Sequence, residues 1–315
     1  MKNVIKGILN VFKYIAVIVI VFLIITTVIN AAITVVEKQI FPAPGVITKN
    51  NGLNIHLFIR GTGETKIVLL SGLGTASPVF DFLPLIEKLE KNYTVCVVEL
   101  NGYGWSKTTK TPRTNENIVN EIRMALYEAE ILPPYVLVPH SISGIYSLYY
   151  ANKYPQEIKA IIGLDISIPV KAKDRKIRTN INWYEVLRNL GLTRLALFIK
   201  SDYLGYDRNI YNDEIIKKIN MFTCWNDFNI NIWNESNTAA VNKEAVLGYL
   251  IPNNIPCRMI LSSDGVKYSS VDWKAEHEKL ISGNINGEVI ILNGGHYIHW
   301  NNSTEIAAII DQMQL

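Results

Sequence analysis

The feature that most limits how this chain can fold is a repeated alternation of short apolar runs with helical patterns. Six mostly apolar runs recur along it: KIVLLSG (66–72), TVCVVEL (94–100), YVLVP (135–139), AIIGLDIS (160–167), CRMILSS (257–263) and EVIILNG (288–294). Helical spacing of apolar residues lies between or after them, at 81–92, 116–131, 143–154 and 303–313. A continuously apolar strand is typical of a sheet that is covered on both faces. The alternation therefore predicts an α/β protein with a mostly parallel central sheet flanked by helices.

The alternation stops between residues 168 and 254, where the patterns are helical and strand signals are few. The clearest amphipathic piece of this segment is WYEVLRNLGLTRLALFIK, 183–200. A helical insertion ahead of the penultimate strand is expected to form a lid at the strand ends. Its aromatic residues either line a pocket or form the core of the insertion; they are Trp183, Tyr184, Phe198, Phe222, Trp225, Phe228 and Trp233.

The N-terminal segment is apolar in a different way, because no charged residue occurs from Tyr14 to Val36. This run exceeds the roughly 20 residues that a helix needs to cross the hydrocarbon core of a bilayer. Lys2, Lys6 and Lys13 precede it, and the positive-inside rule then places the N-terminus in the cytoplasm and the rest of the chain outside. The alternative is a cleaved signal peptide, although its apolar region would be about 7 to 15 residues long. Residues 29–31, INA, match an A-x-A-like cleavage site poorly. We expect an uncleaved single-pass anchor in the cell membrane that contacts lipid.

The composition argues against several other classes of protein. The net charge is only +3, and no basic run is interleaved with aromatic residues, so nucleic-acid binding is not expected. Cys96, Cys224 and Cys257 are far apart and form no C-x-x-C pair, which argues against a disulfide framework or a zinc site. The basic run KAKDRKIR, 171–178, is interpreted as a solvated surface that would lie near anionic lipid headgroups on an anchored protein.

These patterns predict an order of segments along the chain. The order is a short cytoplasmic segment (1–13), a transmembrane helix (14–36), a linker that ends in FPAPG (37–45), the first part of an α/β core (46–167), a helical lid (168–254) and the second part of the core (255–315).

Polar residues follow the strands at their carboxyl ends, where the ligands of parallel sheets bind. They are Ser71–Gly74, Asn101–Ser106, Ser141, Asp165, Asp264 and His296. A serine hydroxyl becomes a strong nucleophile only when a base takes its proton, and a histidine does this best when a carboxylate fixes its tautomer. A serine, an acid and a histidine therefore occur in this order at strand ends.

At these residues the chain resembles the α/β-hydrolase superfamily, in its lidded, bacterial-type branch, here with an N-terminal membrane anchor. The resemblance extends from about residue 46 to the C-terminus, and it rests on five motifs: SGLGT, ELNGYGWS, PHSISG, SSDG and GGHYIH. It implies the α/β-hydrolase fold, with a strand–turn–helix motif around the nucleophile. It also implies a serine hydrolase that cleaves a carboxylic ester, or an amide, whose acyl part is apolar.

The resemblance also implies a role for each residue. Ser141 would be the nucleophile and His296 the base. Asp264 is the favoured acid because it follows the penultimate strand, and Asp165 is the alternative. The backbone N–H groups of Leu73 and Ile142 would form the oxyanion hole. No metal and no organic cofactor is implied.

The turn departs from the G-x-S-x-G pattern of this superfamily, since Pro139 and Ser143 replace its two glycines. The turn needs small neighbours rather than glycine as such, so Ser143 and Gly144 satisfy most of its steric demand. The departures leave other hypotheses open. Ser141 would then be an ordinary helix N-cap in a non-catalytic binding module. A cofactor-free peroxidase or an acyltransferase on the same fold is a further alternative.

Overall fold

The computed structural model of the protein describes residues 2–49, 52, 54–171, 181–201 and 206–315. Apart from Lys171, the basic run 171–178 lies outside the described residues.

A sheet of eight strands forms the centre of the fold. The strands are β1 (Val46–Thr48), β2 (Ile55–Arg60), β3 (Lys66–Leu70), β4 (Thr94–Glu99), β5 (Tyr135–Pro139), β6 (Ile158–Leu164), β7 (Cys257–Ser262) and β8 (Gly287–Leu292). Their order in the sheet is β1-β2-β4-β3-β5-β6-β7-β8. Only the β1–β2 and β2–β4 pairs are antiparallel, and the five remaining pairs are parallel.

Thirteen α-helices are present in the described residues, together with a short 3₁₀ helix at Pro155–Glu157. The α-helices are numbered in chain order. They are α1 (Lys2–Ile40), α2 (Pro78–Asp81), α3 (Leu83–Leu89), α4 (Asn115–Glu128), α5 (Ser143–Lys153), α6 (Trp183–Asn189), α7 (Leu192–Ile199), α8 (Asp213–Asn226), α9 (Ile230–Glu244), α10 (Ser263–Tyr268), α11 (Trp273–Leu280), α12 (Ile298–Asn301) and α13 (Ser303–Gln312).

The apolar core consists of two layers, one on each face of the sheet. Along β3, Val68 and Leu70 point into the layer that also contains apolar residues of α4 and α5. Ile67 and Leu69 point into the opposite layer, with apolar residues of α3 and α13. This alternation explains why the strand is apolar throughout, since side chains of successive residues point to opposite faces. The predicted mostly parallel sheet with helices on its faces is confirmed.

The chain divides into two compact units. One contains Met1–Pro42 and Ile181–Asp227, and the other contains Ala43–Asn180 and Phe228–Leu315. The second unit holds the whole sheet. The predicted insertion ahead of the penultimate strand is present between β6 and β7, and it contributes α6, α7 and α8 to the first unit and α9 to the second.

Helix α1 includes the predicted apolar run and continues beyond both of its ends, so residues 37–40 of the expected linker are helical. Among the described residues, this helix alone is long and apolar enough to cross a membrane. The amphipathic segment 183–200 forms two helices, because Gly191 adopts a left-handed conformation (φ +78°) between α6 and α7.

Candidate active site

The nucleophile candidate Ser141 lies at the turn between β5 and α5. Its φ angle is +54°, an uncommon conformation for a residue with a side chain. The turn is held by the surrounding backbone, since the Ser141 N–H donates to the Leu164 oxygen (3.2 Å) and the Ser141 oxygen accepts from the Ser167 N–H (2.8 Å). A strained conformation that neighbouring strands maintain is typical of functional sites.

The residues beside Ser141 explain why the turn tolerates its unusual sequence. Pro139 ends β5 beside Leu70, and the N–H that donates to the Leu70 oxygen belongs to the next residue, His140 (2.8 Å). The missing N–H of Pro139 therefore leaves the pairing with β3 intact. Ser143 donates its hydroxyl to the Ser71 oxygen (2.5 Å), which ties the start of α5 to the loop after β3.

Glycine is required at position 144, directly after Ser143. A Cβ atom on Gly144 would lie 2.4 Å from the Cβ of Ile166, so only glycine allows α5 to approach the chain after β6 this closely.

His296 connects Ser141 to a carboxylate. Its Nε2 lies 2.9 Å from the Ser141 Oγ, and its Nδ1 lies 2.7 Å from the Asp165 Oδ2. Both distances are those of good hydrogen bonds. A hydroxyl, an imidazole and a carboxylate in this arrangement can pass a proton from the serine to the histidine.

The acid in contact with His296 is Asp165, which corrects the expectation that favoured Asp264. Asp264 is exposed in the first turn of α10, and its backbone N–H donates to the Gly294 oxygen (3.2 Å). The reason is local: the chain enters α10 directly after β7, with Ser262 as N-cap, so Asp264 stays at the surface. Asp165 directly follows the neighbouring strand β6, and its side chain is buried.

Several donors surround the Asp165 carboxylate. Oδ1 accepts from the Ser262 N–H (3.1 Å) and the Trp273 indole N–H (3.1 Å), and Oδ2 accepts from the Ser262 hydroxyl (2.9 Å). Burial by itself raises the pKa of Asp165, but the hydrogen bonds from His296, Ser262 and Trp273 outweigh it and lower the pKa below the ordinary value. The group that faces His296 is therefore a carboxylate at neutral pH.

The two expected oxyanion donors lie at turns, one directly after Ser141 and one after β3. Ile142 follows Ser141 and precedes α5, and Leu73 lies in the turn after β3. Within the described residues, neither backbone N–H donates to a protein acceptor, so both are available to a substrate oxygen. Gly72 lets this loop lie against the nucleophile turn, since a Cβ there would approach His140 Nδ1 to 2.9 Å.

A buried polar cluster supports the Leu73 loop, and the sequence did not reveal it. The Gly74 N–H donates to the hydroxyl oxygen of Tyr103 (3.3 Å), and this hydroxyl donates to Glu235 (2.9 Å). Tyr146 donates to the other oxygen of Glu235 (2.8 Å). Glu235 lies in α9, within a segment where the sequence offered no signal for such a role.

His140 has the contacts of a structural residue. It is 1% exposed, and its Nε2 donates to the backbone oxygen of His296 (3.0 Å). Its ring lies 4.7 Å from the ring of His296 and 4.8 Å from that of His299, centroid to centroid. His140 thus holds the backbone of His296 in place.

Comparison with known proteins identifies the family. A family described as alpha/beta hydrolase fold matches residues 66–236, more than half of the chain. The protein YbdG of Bacillus subtilis (strain 168) is 33% identical over 186 residues, which cover 58% of this chain and 54% of that protein. The pimeloyl-[acyl-carrier protein] methyl ester esterase of Xylella fastidiosa (strain M23) is 32% identical over 149 residues, which cover 47% of this chain and 52% of that protein. The chain thus spans about half the length of these curated relatives.

The fold is also similar to solved structures. An epoxide hydrolase mutant from Vigna radiata superposes with a TM-score of 0.68 at 16% sequence identity, covering 85% of this chain and 96% of that one. At this identity the likeness concerns the fold alone.

Proposed function

The chain belongs to the α/β-hydrolase fold family, and from this premise we propose that it is a serine hydrolase that cleaves a carboxylic ester through an acyl-enzyme. The observation that carries the proposal is the chain of hydrogen bonds from Ser141 through His296 to Asp165. In this proposal Ser141 is the nucleophile, His296 the general base and Asp165 the residue that orients the base.

The first half of the reaction forms the acyl-enzyme. The Ser141 Oγ attacks the carbonyl carbon of the ester while the His296 Nε2 accepts the hydroxyl proton. Asp165 stabilises the resulting imidazolium through Nδ1. The tetrahedral oxyanion accepts hydrogen bonds from the N–H groups of Leu73 and Ile142. When the carbon–oxygen bond to the leaving group breaks, His296 returns the proton to the departing alkoxide.

The second half repeats these steps with water as the nucleophile. His296 accepts a proton from a water molecule, whose oxygen attacks the acyl carbon. The second tetrahedral intermediate collapses, the bond to the Ser141 Oγ breaks, and His296 gives the proton back to the serine. The products are a carboxylic acid and an alcohol, and the enzyme is regenerated.

An ester is proposed ahead of an amide because the name of the Xylella relative specifies a methyl ester substrate. An apolar acyl part remains the sequence-based proposal. A series of p-nitrophenyl esters of increasing acyl length, tested on the chain and its Ser141→Ala variant, measures this preference. Hydrolysis that does not depend on acyl length would contradict an apolar acyl site.

Labelling with a fluorophosphonate probe tests the catalytic role of Ser141. We expect an adduct on the native chain and none on Ser141→Ala. Ser270→Ala, which removes an exposed serine from the surface, serves as the control and should label normally. Absence of an adduct on the native chain, or equal labelling of Ser141→Ala, would leave a non-catalytic binding module as the better hypothesis.

We also propose that α1 anchors the protein in the cell membrane, with the N-terminus in the cytoplasm and the sheet-containing unit outside. The uncharged run at 14–36 and the lysines that precede it support this arrangement. The protein should remain with membranes after a carbonate wash.

Orientation can be tested with a membrane-impermeant maleimide, because Cys96, Cys224 and Cys257 are all buried. A cysteine introduced at the exposed Tyr127 should react in intact cells. Reaction of Tyr127→Cys only after lysis would place this unit in the cytoplasm.

A further inference from the structure

Helix α1 carries a stripe of polar side chains inside its apolar sequence. Thr26, Asn30, Thr34 and Glu37 follow one another at intervals of three or four residues, so they lie on one face of the helix. Asn30 is buried and the other three are half-buried, whereas most residues on the remaining faces are exposed. The polar face of α1 is therefore the face that packs against protein.

The partners of this stripe lie in α6, α7 and α8. From α8, the Trp225 indole N–H donates to the Glu37 Oε2 (2.8 Å), and the other polar contacts come from α6 and α7. The Arg194 guanidinium donates to the Asn30 Oδ1 (2.8 Å), the Thr34 Oγ1 (3.1 Å) and both carboxylate oxygens of Glu37 (2.6 and 2.8 Å). The Asn30 amide donates to the Arg188 oxygen (3.2 Å).

The turn between α6 and α7 also lies directly against α1. A Cβ on Gly191 would come within 2.5 Å of the Thr26 oxygen. Together these contacts fasten α6 and α7 to α1 between residues 26 and 37, all within the first unit.

These contacts fix the depth of α6 and α7 once α1 spans a bilayer. Thr26 lies ten residues before Val36, the last residue of the uncharged run, which corresponds to about 15 Å along the helix axis. That is about half the thickness of the hydrocarbon core. To place all of 26–37 in water, the membrane would have to cover residues 4–25 instead, with Lys6 and Lys13 inside the hydrocarbon. Lys13 would then lie near the middle of the span, where a charged side chain is energetically costly. The placement with residues 14–36 in the membrane is therefore favoured.

The outward surfaces of α6 and α7 have the composition that such a position requires. Phe198 is 86% exposed and Ile199 is 76% exposed, both at the end of α7. At the start of α6, Trp183 and Tyr184 are 57% and 55% exposed. More than half of each of these four side chains is therefore exposed to the surroundings of the protein. Tryptophan and tyrosine are enriched where a membrane meets water, and large exposed aliphatic side chains are unfavourable in water.

We infer that α6 and α7 lie in the membrane beside α1, in the leaflet that surrounds residues 26–37, and contact lipid through Trp183, Tyr184, Phe198 and Ile199. The inference rests on the proposed anchoring of α1. The partner of this surface is the lipid itself, at the boundary between headgroups and acyl chains.

Fluorescence quenching by lipid tests the inference on the full chain. Single cysteines are introduced at Phe198 and at Ile285, labelled with bimane, and reconstituted in phosphatidylcholine vesicles that contain doxyl-labelled phosphatidylcholine. The two sites match in character, since both are large, apolar and highly exposed (86% and 93%), but Ile285 belongs to the second unit. Val17→Cys in α1 reports on the span itself. The native cysteines are buried and should not label.

We expect strong quenching of the label in Phe198→Cys and Val17→Cys and little quenching in Ile285→Cys. If Val17→Cys is quenched but Phe198→Cys is quenched no more than Ile285→Cys, the inference is wrong while the anchor stands. That outcome includes a surface shielded from lipid by a second copy of the chain. If Val17→Cys is not quenched either, the anchor itself is wrong and the inference fails with it.

Discussion

At the scale of single residues, the site depends on how Asp165 is held. The carboxylate is 2% exposed and accepts hydrogen bonds from His296, Trp273 and both polar groups of Ser262. Directly after β6, its backbone adopts a φ angle of +44°, which is uncommon for a residue with a side chain. These contacts give the carboxylate one orientation, and that orientation fixes the imidazole.

Substitution of the two candidate acids distinguishes them. In Asp165→Asn, the amide no longer stabilises the imidazolium or the required tautomer, and we expect kcat to fall by about 10⁴-fold. In Asp264→Asn, which alters an exposed side chain, kcat should change by less than about threefold, since surface substitutions have small effects. Steady-state kinetics on a p-nitrophenyl ester measures both. If kcat fell equally in the two variants, or further in Asp264→Asn, the result would contradict Asp165 as the acid that orients His296 and favour Asp264.

Tyr103 is expected to act on catalysis through the loop that contains Leu73. Tyr103→Phe removes the acceptor for the Gly74 N–H and one donor to Glu235. Loss of a whole oxyanion donor costs about 10² to 10³ in kcat, so a loosened donor should cost about tenfold, with KM nearly unchanged.

Tyr127→Phe is the control for this variant, because Tyr127 is 72% exposed on the surface of α4. Tyr103→Phe should also lower the free energy of unfolding by about 1 to 3 kcal/mol, because a buried carboxylate loses a partner. A stability loss without a change in kcat would show that the cluster is only structural.

Much of the site could be predicted from residue types at strand ends, but not all of it. Ser141 and His296 could be predicted as candidates because a strand–turn–helix serine and a glycine-flanked histidine are local patterns, and the structure brings the two side chains into contact. The carboxylate that contacts His296 could not be predicted, because Asp165 and Asp264 follow adjacent parallel strands and the sequence does not show which side chain turns toward His296. Trp273 and Glu235 come from helices far along the chain, and only tertiary packing brings them to the site.

At the scale of elements, glycine decides where the long amphipathic segment 183–200 breaks. Gly191 and Gly248 share a left-handed backbone (φ +78° and +82°), but only Gly191 has another chain segment within reach of a Cβ. The helical periodicity continues across this break, so the hydrophobic pattern did not show where one helix ends and the next begins. The three-residue strand β1 was missed for a related reason, because its pairing with β2 rather than its own pattern defines it.

This pair of glycines provides a matched test of how α6 and α7 are held against α1. Each alanine variant should lose about 1 to 2 kcal/mol from left-handed strain. In Gly191→Ala the new Cβ would also meet the Thr26 oxygen at 2.5 Å, so α7 must shift away from α1. We expect limited proteolysis in detergent to cut at 181–199 much faster in Gly191→Ala than in Gly248→Ala. Equal cleavage rates would mean that the turn can move without releasing the helices.

At the scale of the whole molecule, alternating strands and helices predicted the architecture but not the arrangement of its parts. Periodicity identifies strands and their buried faces, yet it contains no information on their order, in which β4 lies between β2 and β3. It also did not indicate that helices of one insertion belong to two units. Contacts between residues distant in sequence, such as Arg194 with Glu37, determine that division.

Buried histidines should make the stability of the whole chain depend on pH. Burial, together with the nearby His299 and His296, lowers the pKa of His140 well below its ordinary value. The folded chain therefore keeps His140 neutral, while the unfolded chain protonates it below about pH 6.5. Since the unfolded state binds more protons in this window, the free energy of unfolding should fall as the pH decreases below about 6.5. The pKa of His277 is also lowered, chiefly by burial, and acts in the same direction.

The variant His140→Gln isolates this contribution, because glutamine can still donate to the backbone oxygen of His296 but does not titrate. Between about pH 5 and 6.5, denaturant unfolding of the native chain should show a slope that is steeper than that of His140→Gln by up to about 1.4 kcal/mol per pH unit, the value for one proton. His56, whose pKa is raised despite burial because of its bond to Glu99, contributes stability that is lost only as the pH increases, and it does so equally in both chains. Identical slopes would mean that His140 is protonated in the folded protein and that its burial is less complete than its 1% exposure indicates.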